Sequence, residues 1–119
     1  MNHKNLDLWQ KSMDFVIYLY KITSEFPKEE KYGLMDQLRR ASVSIPSNIA
    51  EGSGRGSKKE FVRFLYISLG SAMEVDTQLI IAQRLNFIDE ISSNELLNNL
   101  NDIKRMLLGL IKQQKRCIE

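Results

Sequence analysis

Apolar residues recur along this chain at i, i+3, i+4 and i+7 in four separated segments, and no stretch alternates with the period of two that marks a half-buried strand. The first segment begins at Asp7, where the carboxylate is placed to cap while Gln10 reaches back, and ends before Pro27. Leu6, Trp9, Met13, Val16 and Tyr20 form one stripe of it, and Leu8, Phe15, Leu19, Ile22 and Phe26 cover much of the rest. That is more apolar surface than a peripheral helix of a small bundle hides, so the pattern predicts burial against a second copy of the chain. The second segment runs from Leu34 to Glu51, with Gly52 in the left-handed position that ends many helices. The third opens on a capping box, Ser57 with Glu60, carries the stripe Phe61, Phe64, Leu65, Ser68, Ala72, Val75, Leu79 and Ala82, and ends near Asn86. A second capping box, Ser92 with Glu95, introduces the fourth, with Leu96, Leu100, Ile103, Leu107 and Leu110 at helical spacing. Short connections make sequential helices antiparallel, so the expectation over residues 1–119 is a single all-α domain, an antiparallel up-and-down four-helix bundle.

Polar residues interrupt this pattern in one place. In QLRRASVSIPSNIAEGSGRG, residues 37–56, Arg40, Ser44, Asn48 and Glu51 fall within an arc of about 80° beside the apolar arc of the second helix. Gly70, Ser71, Glu74 and Gln78 make a comparable face on the third. An antiparallel hairpin brings the two faces together, and a polar network of Arg40, Ser44, Asn48, Glu51, Ser71 and Glu74 is expected, within the protomer or between subunits. Pro46 lies inside the second helix, has no N–H for the carbonyl of Ser42 and crowds that turn, so a proline-kinked second helix is expected. Ser42, Ser44, Ser47 and Asn48 surround the defect and offer partners for freed backbone groups; a bend shaped for a partner is the alternative.

Net charge is only +2, but it is unevenly spread. Between Arg39 and Arg63 six bases, Arg39, Arg40, Arg55, Lys58, Lys59 and Arg63, face two acids, Glu51 and Glu60. From Phe64 to Ile103 only Arg84 opposes six acids, after which Lys104, Arg105, Lys112, Lys115 and Arg116 make a basic end. Such a surface can steer anions or drive self-assembly.

Catalytic chemistry lacks its parts. His3 is the only histidine and Cys117 the only cysteine, too few for a multi-cysteine zinc site, a Ser-His-Asp triad or an internal disulfide, so no metal, cofactor or enzymatic activity is expected. The Gly52-Ser-Gly-Arg-Gly-Ser-Lys58 loop lacks the Gly-Lys-Ser/Thr ending of a nucleotide loop and follows a helix where such a loop follows a strand. It offers amides at the start of the third helix, with Arg55, Lys58 and Lys59 alongside, as a contact for a backbone phosphate; the alternative is a solvated hinge. The lone cysteine and the lack of a long apolar segment point to a cytoplasmic protein with no membrane partner.

The segments LDLWQKSMDFVIYLYKIT, FPKEEKYGLMDQLRRASVSIPSNIAEGSGR and FVRFLYISLGSAMEVDTQL, in this order, closely resemble the four-helix-bundle family of 23S rRNA intervening-sequence proteins. Trp9-Gln10, the Gln37–Gly52 segment and Gly70-Ser71 with Glu74 carry the likeness, and the last helix is less diagnostic. The resemblance implies a bacterial, noncatalytic homopentamer. More distantly, the chain resembles the accessory protein of diversity-generating retroelements, a basic pentameric barrel that binds nucleic acid and its reverse transcriptase, although this chain is less basic. The leading expectation is therefore a homo-oligomer that binds RNA or another nucleic acid through Arg55, Lys58, Lys59 and Arg63, assisted by Lys112, Lys115 and Arg116. The runner-up is a protein-interaction module whose basic residues serve solubility and intersubunit pairing.

Overall fold

The computed structural model describes residues 2–118. Among these, four helices, α1 (Asp7–Thr23), α2 (Leu34–Ser53), α3 (Lys58–Arg84) and α4 (Glu90–Ile118), account for nearly all regular structure, with short 3-10 turns at His3–Asn5 and Lys28–Glu30 and no strand. Among the described residues no helix is long and apolar enough to cross a membrane. Cross-helix contacts fix the topology. Gln37 meets Gln78, Ser44 meets Ser71 and Ile45 meets Ser68, so residue numbers rise on α2 as they fall on α3. The same reversal relates α3 to α4 through Asp76 with Lys104 and Gln83 with Ser93, and α1 to α4 through Tyr18 with Glu95 and Lys11 with Asp102. Each helix packs on its chain neighbours, and α4 closes the ring on α1, giving an up-and-down bundle 47 Å long.

The core is the predicted set almost residue for residue. Every position of the α3 stripe is buried, and Leu38, Ala41, Ile45 and Ile49 of α2 meet Leu96, Leu100, Ile103 and Leu107 of α4 in one cluster. Leu110 is only partly covered, and Ile111 takes its place in the buried stripe. Buried hydroxyls are accommodated by backbone carbonyls: Ser12 donates to Leu8, Thr23 to Leu19 and Ser68 across to Ile45.

Three helix ends differ from expectation. Asp7 is the first residue of α1 rather than its cap; Leu6 holds the cap position without a side-chain bond, and Gln10 donates to the Lys4 carbonyl. Gly52 does not end α2 in a left-handed turn. It lies inside the helix and is buried, and a Cβ there would stand 2.6 Å from the Phe64 Cβ and 3.1 Å from the Phe61 ring, so glycine serves close packing of α2 on α3. The positive φ falls at Gly56, where the chain turns into α3. Helix α4 begins earlier than the Ser92 signal: Asp89 accepts from the Ser92 amide at 2.7 Å and from its hydroxyl at 3.1 Å, while Glu95 accepts from the Tyr18 hydroxyl at 3.0 Å. Asp89 and Ser92 are both capping residue types three positions apart, and the carboxylate nearer the chain reversal takes the role. The other ends agree. Ser57 Oγ accepts from the Glu60 amide, and α3, whose last residue is Arg84, is closed by Asn86, which has φ 63° while the amides of Asn86 and Phe87 bond back to Gln83 and Ala82.

Pro46 sits inside α2, which continues across it from Leu34 to Ser53. The Asn48 amide donates to the Ser44 carbonyl and the Ser68 hydroxyl to that of Ile45, so side chains serve the carbonyls just before the proline.

Two stability predictions follow from these ends. Gly52→Ala should lose about 1–3 kcal/mol in denaturant unfolding because Phe64 cannot retreat without opening the core, whereas Gly109→Ala on α4, where a Cβ meets nothing within 4 Å, should gain about 0.5–1 kcal/mol. The bonds from Ser92 hold the Asp89 carboxyl below its usual range. Its stabilisation is thus present above the unfolded-state value and lost as pH falls through the depressed folded-state value. The gap in melting temperature between the natural chain and Asp89→Ala should be widest near neutrality and close on acidification.

Candidate nucleic-acid interface

The antiparallel order puts the C-terminus of α2, the N-terminus of α3 and the C-terminus of α4 at one end of the bundle. Two basic runs about fifty residues apart in sequence meet there. The Lys115 Nζ donates to the Tyr66 hydroxyl at 2.9 Å and lies 5.2 Å from that ring's centre, tying the α4 tail to the first turns of α3. Arg55, Lys58, Lys59, Arg63, Lys112, Lys115 and Arg116 are all exposed.

These cations differ in how they are held. Arg55 pairs with Glu51 at 3.0 Å, one turn back, and Arg63 with Glu60 at 2.9 Å; their guanidiniums stand 4.9 and 4.5 Å from the centre of the Phe64 ring. The bond from Arg63 holds the Glu60 carboxyl below its ordinary value. Phe64 thus braces two planar cations, and the two acids of this stretch are already engaged. Lys58 and Lys59 make no ion pair among the described residues and are exposed in the first turn of α3, where the helix dipole adds partial positive charge. Acidic side chains lie farther along the bundle, where Asp76 pairs with Lys104 and Asp102 with Lys11 and Arg105.

The polar row of α2 and α3 is only partly joined. The Ser44 and Ser71 hydroxyls bond across the seam at 2.8 Å, and the Asn48 amide donates to the Ser44 Oγ at 2.8 Å. Arg40 and the carboxylates leave this cluster within the protomer. Arg40 Nε donates to Asp36 at 2.9 Å on its own helix, with the guanidinium pointing to solvent; Glu51 takes Arg55; Glu74 accepts from Gln78 at 3.3 Å. An intrahelical partner four residues away is reached without desolvating the guanidinium, and this outcompetes a buried pair across the seam. Gln78 Oε1 is buried without a partner among the described residues.

Arg39, grouped in sequence only with the basic run, has a structural role. It donates to Thr23 Oγ1 at 2.9 Å and to the Tyr20 carbonyl at 3.1 Å, closing the C-terminal end of α1. Its signal was positional, since a base on the facing helix near a helix C-terminus finds free carbonyls, but the facing register was invisible. Tyr66 and Gln114 were also passed over, and Phe64 was read only as core.

The surplus apolar surface lies elsewhere than expected. Most of α1 is covered within the protomer: Leu8, Phe15, Val16, Leu19 and Phe26 are buried and Leu6, Trp9 and Ile22 pack against the core, leaving Ile17 and Tyr20 as its large exposed apolar side chains. The greater exposure is on α3, where Tyr66, Ile67, Met73, Ile80, Ile81 and Leu85 face outward. The turn Glu25–Tyr32 lets α1 sink between α2 and α4, a depth that helical spacing does not encode.

The class of protein is thus an antiparallel four-helix bundle with a basic end. The chain belongs to the 23S rRNA-intervening sequence protein family, whose model matches residues 4–109. It is similar, at 25% sequence identity and a TM-score of 0.80, to a protein of unknown function from the S23 ribosomal protein family of Bacteroides thetaiotaomicron; the match covers 88% of this chain and 98% of that one. A comparison with curated proteins found no match.

Ser71→Ala should cost about 0.5–1.5 kcal/mol in unfolding experiments by removing the one bond the half-buried Ser44 hydroxyl makes across the seam, leaving it only Asn48 on its own helix, whereas Arg40→Ala should change stability by less than about 0.5 kcal/mol, as expected of an exposed pair.

Proposed function

We propose that this protein is a noncatalytic, cytoplasmic homo-oligomer, a pentamer, that binds RNA or another nucleic acid through Arg55, Lys58, Lys59 and Arg63 together with Lys112, Lys115 and Arg116. The observation that carries the reading is the meeting of the α2–α3 hinge and the α4 tail at one end of the bundle, which merges two separate basic runs into one surface whose local acids, Glu51 and Glu60, are paired. Each phosphate neutralised adds a salt-dependent increment, and repetition of a modest patch around a ring multiplies its effect. The exposed apolar side chains of α3 supply the surface for self-association. The same row favours the second reading, in which the assembled bundle docks a polypeptide and the basic end serves solubility and subunit pairing.

Gel shifts with structured ribosomal RNA should show a complex at low salt that weakens steeply as salt is raised. Lys59→Gln combined with Arg116→Gln should lower the salt slope by about two. No shift at low salt would overturn nucleic-acid binding, and a native mass equal to one chain at high concentration would overturn the oligomer.

A further inference from the structure

Beneath the hinge lies a cavity of about 240 Å³, lined by Gly52, Ser53, Gly56, Ser57, Lys58, Phe61 and Gln114. Its wall holds one residue that the basic surface does not explain. Gln114 comes from the penultimate turns of α4, is only 7% exposed, and its side-chain amide has no hydrogen-bond partner among the described residues. Its side-chain nitrogen and oxygen are not sealed from solvent, since Gln78 Oε1 is the buried side-chain atom left without a partner among the described residues. Gln114 lines the cavity, whose mouth is open.

The opposite wall is the N-terminus of the 27-residue α3. Ser57 Oγ accepts from the Glu60 amide and the Ser57 carbonyl from that of Phe61, which leaves the amides of Lys58 and Lys59 at the open end of the helix. Lys58 is exposed and belongs to the lining. The cavity is thus rich in donors and is lined by no carboxylate, its volume exceeds a bare tetrahedral anion, and Phe61 and Gly52 complete its lining.

We infer that this cavity binds the phosphate group of a phosphate ester, with the α3 amides and Lys58 on one side and the Gln114 amide on the other. A phosphate has enough oxygens to accept from all of these donors at once, where a carboxylate has two. The source is either a free small phosphate ester or the terminal phosphate of a nucleic acid; the second alternative rests on the function proposed above, whereas the phosphate site itself does not.

Calorimetric titration of the full-length protein with inorganic phosphate tests the site. Saturable binding is expected, weakened about tenfold or more in Gln114→Met, which keeps the side chain's length and removes its amide, and unchanged in Gln113→Met, one position along on the exposed face. Lys58→Gln, an exposed substitution that leaves the core intact, should weaken phosphate severalfold and serves if Gln114→Met unfolds. A preference for 5′-phosphorylated over 5′-hydroxyl oligoribonucleotide that disappears in Gln114→Met would support the nucleic-acid source; phosphate binding with no such preference would support the free ester. Absence of saturable phosphate binding, or undiminished binding in a folded Gln114→Met and in Lys58→Gln, overturns the inference. A failed RNA gel shift with phosphate binding intact overturns only the nucleic-acid reading.

Discussion

The close approach of α2 and α3 is the constraint on which the rest of the bundle depends. It is made possible where Gly52 presents no side chain to Phe64 and Phe61, and it is registered farther along by Ser68 donating to the Ile45 carbonyl and by the Ser44–Ser71 pair. Backbone at Gly52 lies against side chains that would overlap any larger residue, so a one-residue slip would drive a Cβ into an aromatic ring. Hydrophobic burial supplies most of the driving force for packing, but it is non-directional. These few contacts select one alignment among the several that the apolar stripes allow.

That alignment determines what the basic end can be. Because α3 starts where α2 and α4 finish, the amides at the α3 N-terminus, the hinge cations and the last turns of α4 share one surface. Phe64 links stability to electrostatics there: its ring is buried against Gly52, while Arg55 and Arg63 lie over it and stay anchored by Glu51 and Glu60. The lysines between them are left exposed. Anchored guanidiniums beside exposed ammonium groups suit a ligand recognised by charge and shape more than by base identity.

Much of the fold was legible because helices are local. The core stripes of α3 and α4, the Ser57 cap and the stop at Asn86 follow from spacing and residue type within a turn or two. Where reading failed, a choice between neighbours was involved. Asp89 and Ser92 both cap well, and Gly52 and Gly56 both tolerate a left-handed turn; nothing local says which will do so. Within the protomer Arg40 finds Asp36, one turn away on the same helix, instead of a partner across the seam.

The sequence by itself determined four amphipathic helices, the extent of the core and the two basic runs, because each depends on periodicity or composition that the chain carries locally. Tertiary structure alone decided that more apolar surface is left uncovered on α3 than on α1, that Arg39 closes the end of α1, and that Gln114 lines a cavity with the start of α3. These depend on how deeply each helix sinks and how it is turned about its axis. Depth and rotation are settled by many side chains fitting at once, and no segment specifies them alone.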